Sequence, residues 1–491
     1  MSVKRWNKDR RYLDSSRGAR FDKDNDLAFS AFLMRKRAGI MRLPQYGGSA
    51  FLKARGKRVA RKLIKSYLKR LRVAKGEKRH VLKNVNALLY KIAPDPLRDA
   101  LCPNFIVNWR PMQQRLKNQS VHKLSLENFS FAKDPEGTLH QLRALGEACA
   151  IFPDLRVNFS DTDCDDVTPY IVLAHLSRSL PPIISGGQIT QEVSDVVDAV
   201  GMQRALRIGT IRRKSRDKGN SVSAFPLFDR TPPGAFGDKD HLLRPQVKEY
   251  VSDRFCDTLN AWLRAHTIEL TPEAEGAFTG AIGEALDNAE RHGSLSSEKA
   301  EGDWSIAAFS KISHSGDSKL IRCSVGIVSI GATISESLNS AASEVKERID
   351  KYVKQHTPLL SRGPTAECLR TVMALQDGIT RVGKATEGRR GGVGFMELVD
   401  IFAELGKNGR DDLQSMLTIL SGKACIRITR PFEKGTLSEE QMRQLWFNDE
   451  NVMSHPPKGS HVQSLEIGFP GVILSACFTI DPTYLREHLD T

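Results

Sequence analysis

The stretch Glu284-Ala285-Leu286-Asp287-Asn288-Ala289-Glu290-Arg291-His292-Gly293 decides how this chain is read. Glu284, Asn288 and His292 recur at i, i+4 and i+8, which places them on one face of a helix. Phe278, Ile282, Ala285, Leu286 and Ala289 form a separate apolar stripe, which predicts packing of that helix against a sheet. A carboxylate and an amide four residues apart stand about 6 Å from each other along the axis, at about 1.5 Å of rise per residue. That pair suits one chemistry well. Glu284 can take a proton from water, while the Asn288 amide oxygen offers a hard ligand to Mg²⁺. The same spacing also occurs in an ordinary amphipathic helix with a polar outer face.

The segments C-terminal to this helix bear on the choice. A β-rich run, Leu320 to Ile330, leads into Gly331-Ala332-Thr333-Ile334-Ser335-Glu336-Ser337-Leu338. A polar, Gly- and charge-rich stretch occupies 339–388. It ends in Gly391-Gly392-Val393-Gly394-Phe395-Met396-Glu397-Leu398-Val399-Asp400, glycines followed at once by a helical pattern. Backbone N–H groups at such a turn and at a helix N-terminus form an anion site suited to phosphates. Two late β runs, Met416–Thr429 and Leu465–Ile480 with its Pro470-Gly471 entry, predict further strands of one sheet.

In this order the segments resemble the N, G1 and G2 boxes of the GHKL ATPases. That superfamily includes gyrase, heat-shock chaperones, mismatch-repair proteins, histidine kinases and anti-sigma-factor kinases. Glu284-x-x-x-Asn288 is similar to the N box, the 329–333 segment to the G1 box, and GVGFMELVD at 392–400 to the G2 box of anti-sigma-factor kinases. The resemblance spans residues 245–481 and implies an α/β (α+β) domain, a Bergerat-type sandwich with a mixed sheet covered by helices. It implies ATP and Mg²⁺ as ligands, with Glu284 as the catalytic residue that activates water and Asn288 as the metal ligand. Ser329, Gly331 and Thr333 would lie against the adenine, Gly391, Gly392 and Gly394 would cradle phosphates, and 339–388 would form a mobile lid.

Two positions depart from the pattern. The G1 aspartate, which in the family accepts a hydrogen bond from the adenine amino group, is Ser329 here, and the second G1 glycine is Thr333. A hydroxyl accepts one hydrogen bond without the charge that roughly doubles the strength of such a contact. The function implied is a Mg-dependent ATPase acting as a nucleotide-driven switch. The alternative is a non-hydrolysing regulatory protein, or an anti-sigma-like Ser/Thr kinase, with a degenerate adenine site.

The chain's 491 residues leave room for about three domains. At 40% hydrophobic and 27% charged residues its composition is that of a soluble globular protein. No apolar run approaches the roughly 18 residues of a membrane span, and Met1–Arg11 is too charged for a signal peptide. The eight cysteines are scattered without a C-x-x-C pair, so they read as small core residues in a cytoplasmic protein rather than as disulfides or zinc ligands.

Charge divides the chain. Residues 1–92 carry 27 lysines and arginines against 6 acidic residues, a net +21, and the remainder carries 46 against 52, a net −6. Within this arm Val59, Leu63, Ile64, Tyr67, Leu68 and Leu71 predict a helix over 52–74, and Val81 to Ile92 a second one. A cationic surface of this density favours phosphate backbones, so nucleic acid is the expected partner of 1–92. The alternative is an acidic protein partner, and a second copy of the chain (a homodimer) stays open. A membrane surface is the least favoured reading.

Residues 93–240 predict a small α/β domain ending in a linker at Pro226–Pro245, and 241–491 the nucleotide domain. Lys123–Phe131 and Leu155–Phe159 read as strands, with Thr168 as N-cap and Pro169 at N1 of a helix over 169–180. The order of strand, acidic turn and Pro-started helix loosely resembles a STAS-type domain. Asp161 to Asp165 reads as an acidic loop rather than a calcium loop, because Asp166 stands where an EF-hand needs Gly and Val172 where it needs the bidentate Glu. No histidine has the sequence context of a phosphoacceptor.

Overall fold

A computed structural model describes residues 95–489, apart from 104, 106–121, 153–154, 181–183, 204–205, 207–221, 231–246, 293–302, 316–317, 358–362, 378, 380–393, 409–412, 414, 431, 433–434 and 438–442. The two helices expected in the basic arm lie outside these residues, as do Gly391 and Gly392.

The first part of the chain runs α1 (Pro96–Leu101), β1 (His122–Leu126), α2 (Pro135–Ile151), β2 (Leu155–Phe159), α3 (Thr168–Ser179), β3 (Ile184–Gly186) and α4 (Gln191–Ala199). The strands form a parallel sheet in the order β1-β2-β3. Parallel neighbours need crossovers of a dozen or more residues, and α2 and α3 supply them. Strand β1 is shorter than the expected Lys123–Phe131: it ends at Leu126, and Asn128 adopts a positive φ of 51° that turns the chain.

The chain continues with β4 (Val222–Asp229), α5 (Lys248–Arg264), α6 (Pro272–His292), β5 (Asp303–Ser315), β6 (Ser318–Ile330), α7 (Ile334–Ser337) and a 3₁₀ turn at Leu338–Ser340. Next come α8 (Ser343–His356), α9 (Ala366–Ala374), α10 (Gly394–Leu405), β7 (Met416–Ile428), β8 (Thr436–Leu437), β9 (Arg443–Gln444), β10 (Val462–Ile480) and α11 (Pro482–Leu489). The central sheet has the order β4-β5-β6-β10-β7. Every neighbouring pair in it is antiparallel, so the mixed sheet expected from sequence is not found. The excursion from β6 through α7–α10 brings β7 beside β10 rather than beside β6, and among the described residues parallel pairing is confined to the small sheet. Pro470 lies where β10 shifts register against β7, a bulge that tolerates its missing N–H.

Both faces of this sheet are covered, which explains the nearly continuous apolar runs of its inner strands. Along β6, Ile321, Cys323, Val325 and Ile327 enter a core shared with α5, α6, α8, α9 and α10, whereas Val328 enters a second core built with α1–α4. Seven of the eight cysteines are buried, as small core residues.

The first segment is seated directly on the second face. Gly326 of β6 makes this possible: a Cβ there would come within 2.6 Å of Thr168 Oγ1 and 2.9 Å of Ile171 Cδ1. Strand β4, from the segment expected to precede the nucleotide domain, is the edge strand of the central sheet, and the stretch read as a linker from Pro226 begins inside it.

The acidic loop before α3 pins the two layers together. Asp163 pairs with Lys311 and, at 3.1 Å, with Arg322, while Asp165 pairs with Lys133 and, at 3.3 Å, with Arg322. Thr168, expected as the N-cap, is already helical. Val167 is the N-cap and gives no side-chain cap bond; the Asp166 Oδ1 before it accepts from the Thr168 amide at 2.9 Å, and among the described residues the Thr168 hydroxyl has no hydrogen-bond partner. Its position against Gly326 faces that hydroxyl onto the sheet and away from the helix end.

Candidate functional site

Helix α6 forms as its stripe predicts: Phe278, Ile282, Leu286 and Ala289 are buried and Ala285 packs beside them. It lies between α5 and α10 over β5. On its polar side Glu284 and Asn288 are both half-buried, one turn apart. Two oxygen-bearing side chains so placed fit a hard cation such as Mg²⁺ by donor type.

The neighbouring acids are committed elsewhere. Asp287 pairs with Lys248 and Arg291, and Glu290 Oε1 accepts from both Arg230 Nε and Trp304 Nε1 at 3.0 Å. Trp304 is the cross-strand partner of Ser329. Directly opposed residues of an antiparallel pair share a face, so Ser329 points to the α6 side of the sheet, where it is 5% exposed. The Glu290–Trp304 contact therefore sets the C-terminal end of α6 over the end of β6 that carries Ser329.

Beyond Ser329 the chain turns. The Gly331 amide donates to the Pro470 carbonyl at 3.1 Å. Thr333 caps α7 in a capping box: its hydroxyl accepts from the Glu336 amide at 3.1 Å, and its own amide donates to Glu336 Oε2 at 2.8 Å. The Ile334 amide donates to Ser421 Oγ at 2.7 Å, which ties this turn to β7.

Beside the turn lies a cavity of about 300 Å³, lined by Thr333, Ser335, Glu336, Asn339, Glu367 and Arg370, with Ala366 completing the wall. Glu367 Oε1 accepts from the Lys423 amide at 3.2 Å and lies against Gly422, which has a positive φ of 58° and no room for a Cβ. Burial raises the Glu367 carboxyl above its usual range; the Lys423 amide opposes this and the charge of Glu336 adds to it. Arg370 approaches Asp350 at 3.5 Å, while its Nε is buried and has no hydrogen-bond partner among the described residues.

Of the residues expected at the site, Thr333 lines this cavity, and Glu284 and Asn288 do not. Gly394 opens α10, which is anchored through an Asp400–Arg443 ion pair. Much of the expected lid is core instead. Ile349 and Tyr352 of α8 and Cys368, Leu369, Val372 and Met373 of α9 are buried, because each set recurs at helical spacing. Glu367 and Arg370 lie in that stretch and are not among the residues expected at the site. Their sequence signal is Thr365 as N-cap followed by opposite charges three residues apart on one helix face.

Comparison with protein-family profiles, with curated proteins and with solved structures returned no match. Among the described residues no helix is long and apolar enough to cross a membrane.

Proposed function

We propose that this chain is a GHKL-type ATP-binding protein with a Bergerat-like nucleotide domain. It would act as a Mg-dependent ATPase whose conformational switch is coupled to a nucleic-acid or protein partner of the basic arm. One observation carries the reading: the Glu290–Trp304 hydrogen bond holds the C-terminal end of α6, with Asn288, over the strand end that bears Ser329. Helix α10, which starts at Gly394, packs beside α6 on the same sheet face. ATP would enter at the Thr333 turn. Asn288 and Glu284 would supply oxygen ligation and a proton acceptor, and bound Mg²⁺ would neutralise phosphate charge. Calorimetric titration of the full-length protein with ATP, with and without Mg²⁺, tests this, together with turnover of the wild type and of Glu284→Ala. Absence of ATP binding at millimolar concentration overturns it.

A second reading, regulatory binding without hydrolysis, is favoured by the cavity itself, which draws no lining residue from α6. The parallel β1-β2-β3 sheet with its acidic turn supports a STAS-like first segment in that case. Mg-independent binding without turnover would select it.

A further inference from the structure

Helix α2 starts with Asp134 as N-cap, its carboxylate accepting from the Gly137 amide, and Pro135 at the first helical position. That start sets Glu136 and His140 one turn apart on the same helix face. Opposite them, β10 shifts register against β7 between Ser464 and Phe469. Leu465 and Ile467 are buried there, and Glu466 between them is exposed. The Glu466 amide donates to both carboxylate oxygens of Glu136 at 3.1 Å. That contact ties the first segment to the central sheet and orients the Glu136 carboxylate.

A nitrogen and two carboxylates converge at this point. His140 Nε2 is 3.3 Å from Glu136 Oε1 and 3.5 Å from Glu466 Oε2, and one ligand atom from each residue lies within 4.8 Å of the others. Both nitrogen–oxygen distances exceed the roughly 2.7–3.2 Å of an N–H···O hydrogen bond. They match the edge of a coordination tetrahedron, about 3.3–3.6 Å for Zn²⁺ bonds of about 2.0–2.2 Å to nitrogen and oxygen. Among the described residues neither carboxylate pairs with a lysine or arginine, so two negative charges meet over one imidazole.

We propose that Glu136, His140 and Glu466 form a zinc site that clips α2 to β10, with the fourth coordination position open to water. One imidazole nitrogen with two carboxylates suits a borderline ion such as Zn²⁺, whereas Mg²⁺ and Ca²⁺ take oxygen donors. The Glu466 side chain is 74% exposed and that of His140 44%, so an ion reaches them from solvent and Glu466 can rotate onto it. Ligating carboxylates are held by hydrogen bonds of their own, as Glu136 is by the Glu466 amide.

The test is calorimetric titration of nucleotide-free, EDTA-stripped full-length protein with ZnCl₂, for wild type, His140→Ala and Glu466→Gln. Hydrogen-bond partners of a metal ligand are worth about 10–100-fold in affinity, so loss of a direct ligand should weaken this site about tenfold or more in each variant. Both side chains are well exposed, so metal-free urea midpoints of the variants should equal that of wild type. Absence of zinc binding by wild type at submillimolar concentration overturns the proposal. A site retained at full strength in either variant overturns it as well. So does Mg²⁺ bound in preference to Zn²⁺, because a hard ion gains little from the imidazole nitrogen.

Discussion

Asp166 Oδ1, at the mouth of α3, accepts a hydrogen bond from Ser475 Oγ in β10 at 2.9 Å, across 309 residues of sequence. The same carboxylate accepts from Thr168 N at 2.9 Å, Ala132 N at 3.1 Å and Ser130 Oγ at 3.2 Å, and the residue is 1% exposed. One side chain thus joins the first segment to the central sheet. Removing it strands four donors in a buried interior. Asp166→Ala should therefore cost about 3 kcal/mol or more, read as a lowered chemical-denaturation midpoint. A loss under about 1 kcal/mol would show that the layers hold together without it.

Ser329 offers a sharper test of the strand end. It is buried between Trp304 and Val472 in the ladder, so Ser329→Asp should destabilise the free protein by placing a carboxylate there. If the base approaches this position, the same substitution should tighten ATP by about 1–2 kcal/mol through a charge-assisted acceptor. Calorimetry and thermal shift with ATP read the two effects separately. Unchanged or weaker affinity means that position 329 does not meet the base.

Asn288→Ala should abolish the Mg-dependent part of ATP affinity together with turnover, because phosphate without its ion faces the Glu284 carboxylate uncompensated. Both side chains are half-buried rather than core, so the variant should remain folded. Turnover that persists in Asn288→Ala would remove this helix from the site.

A pH effect resides at the edge of the sheet. His175 Nε2 is 2.7 Å from Ser305 Oγ, and Nδ1 is 3.3 Å from the Arg178 guanidinium. Burial, with Arg178 adding and Asp229 opposing, pushes its pKa down from 6.5 to about 4. The unfolded chain takes up this proton near pH 6.5 and the folded chain only near pH 4. Stability is therefore lost as pH falls through that window. At pH 5 the loss is about 2 kcal/mol relative to pH 7. Urea midpoints at the two pH values should separate in the wild type by more than in His175→Gln. Equal separations would place the titration elsewhere.

Deleting residues 1–92 changes the net charge from +15 to −6. Nucleic-acid binding should disappear with the arm, and in the intact protein it should weaken steeply between roughly 50 and 200 mM salt through counterion release. Failure of the full-length protein to bind DNA or RNA at low salt would turn the arm into a docking surface for an acidic protein.

Sequence alone determined the elements whose hydrophobic period is strong. The Phe278–Ala289 stripe specifies α6 and its buried face, Leu155–Phe159 is β2 residue for residue, and the runs from 320, 416 and 465 are β6, β7 and most of β10. Such periodicity is local, because each residue's burial is set by its place on its own helix or strand. The contacts made across the fold were decided by tertiary structure. Glu367 reaches Lys423 over 56 residues, and Lys311 reaches Asp163 over 148. Nothing in the local pattern around either residue encodes the partner, since strand order and register bring them together. The stretch 339–388 shows the same limit. Its charges suggest a lid, but Leu369 lies on a helix packed against β7 and Tyr352 packs against Trp446, with ring centroids 5.2 Å apart, and that burial outweighs the polar composition around them.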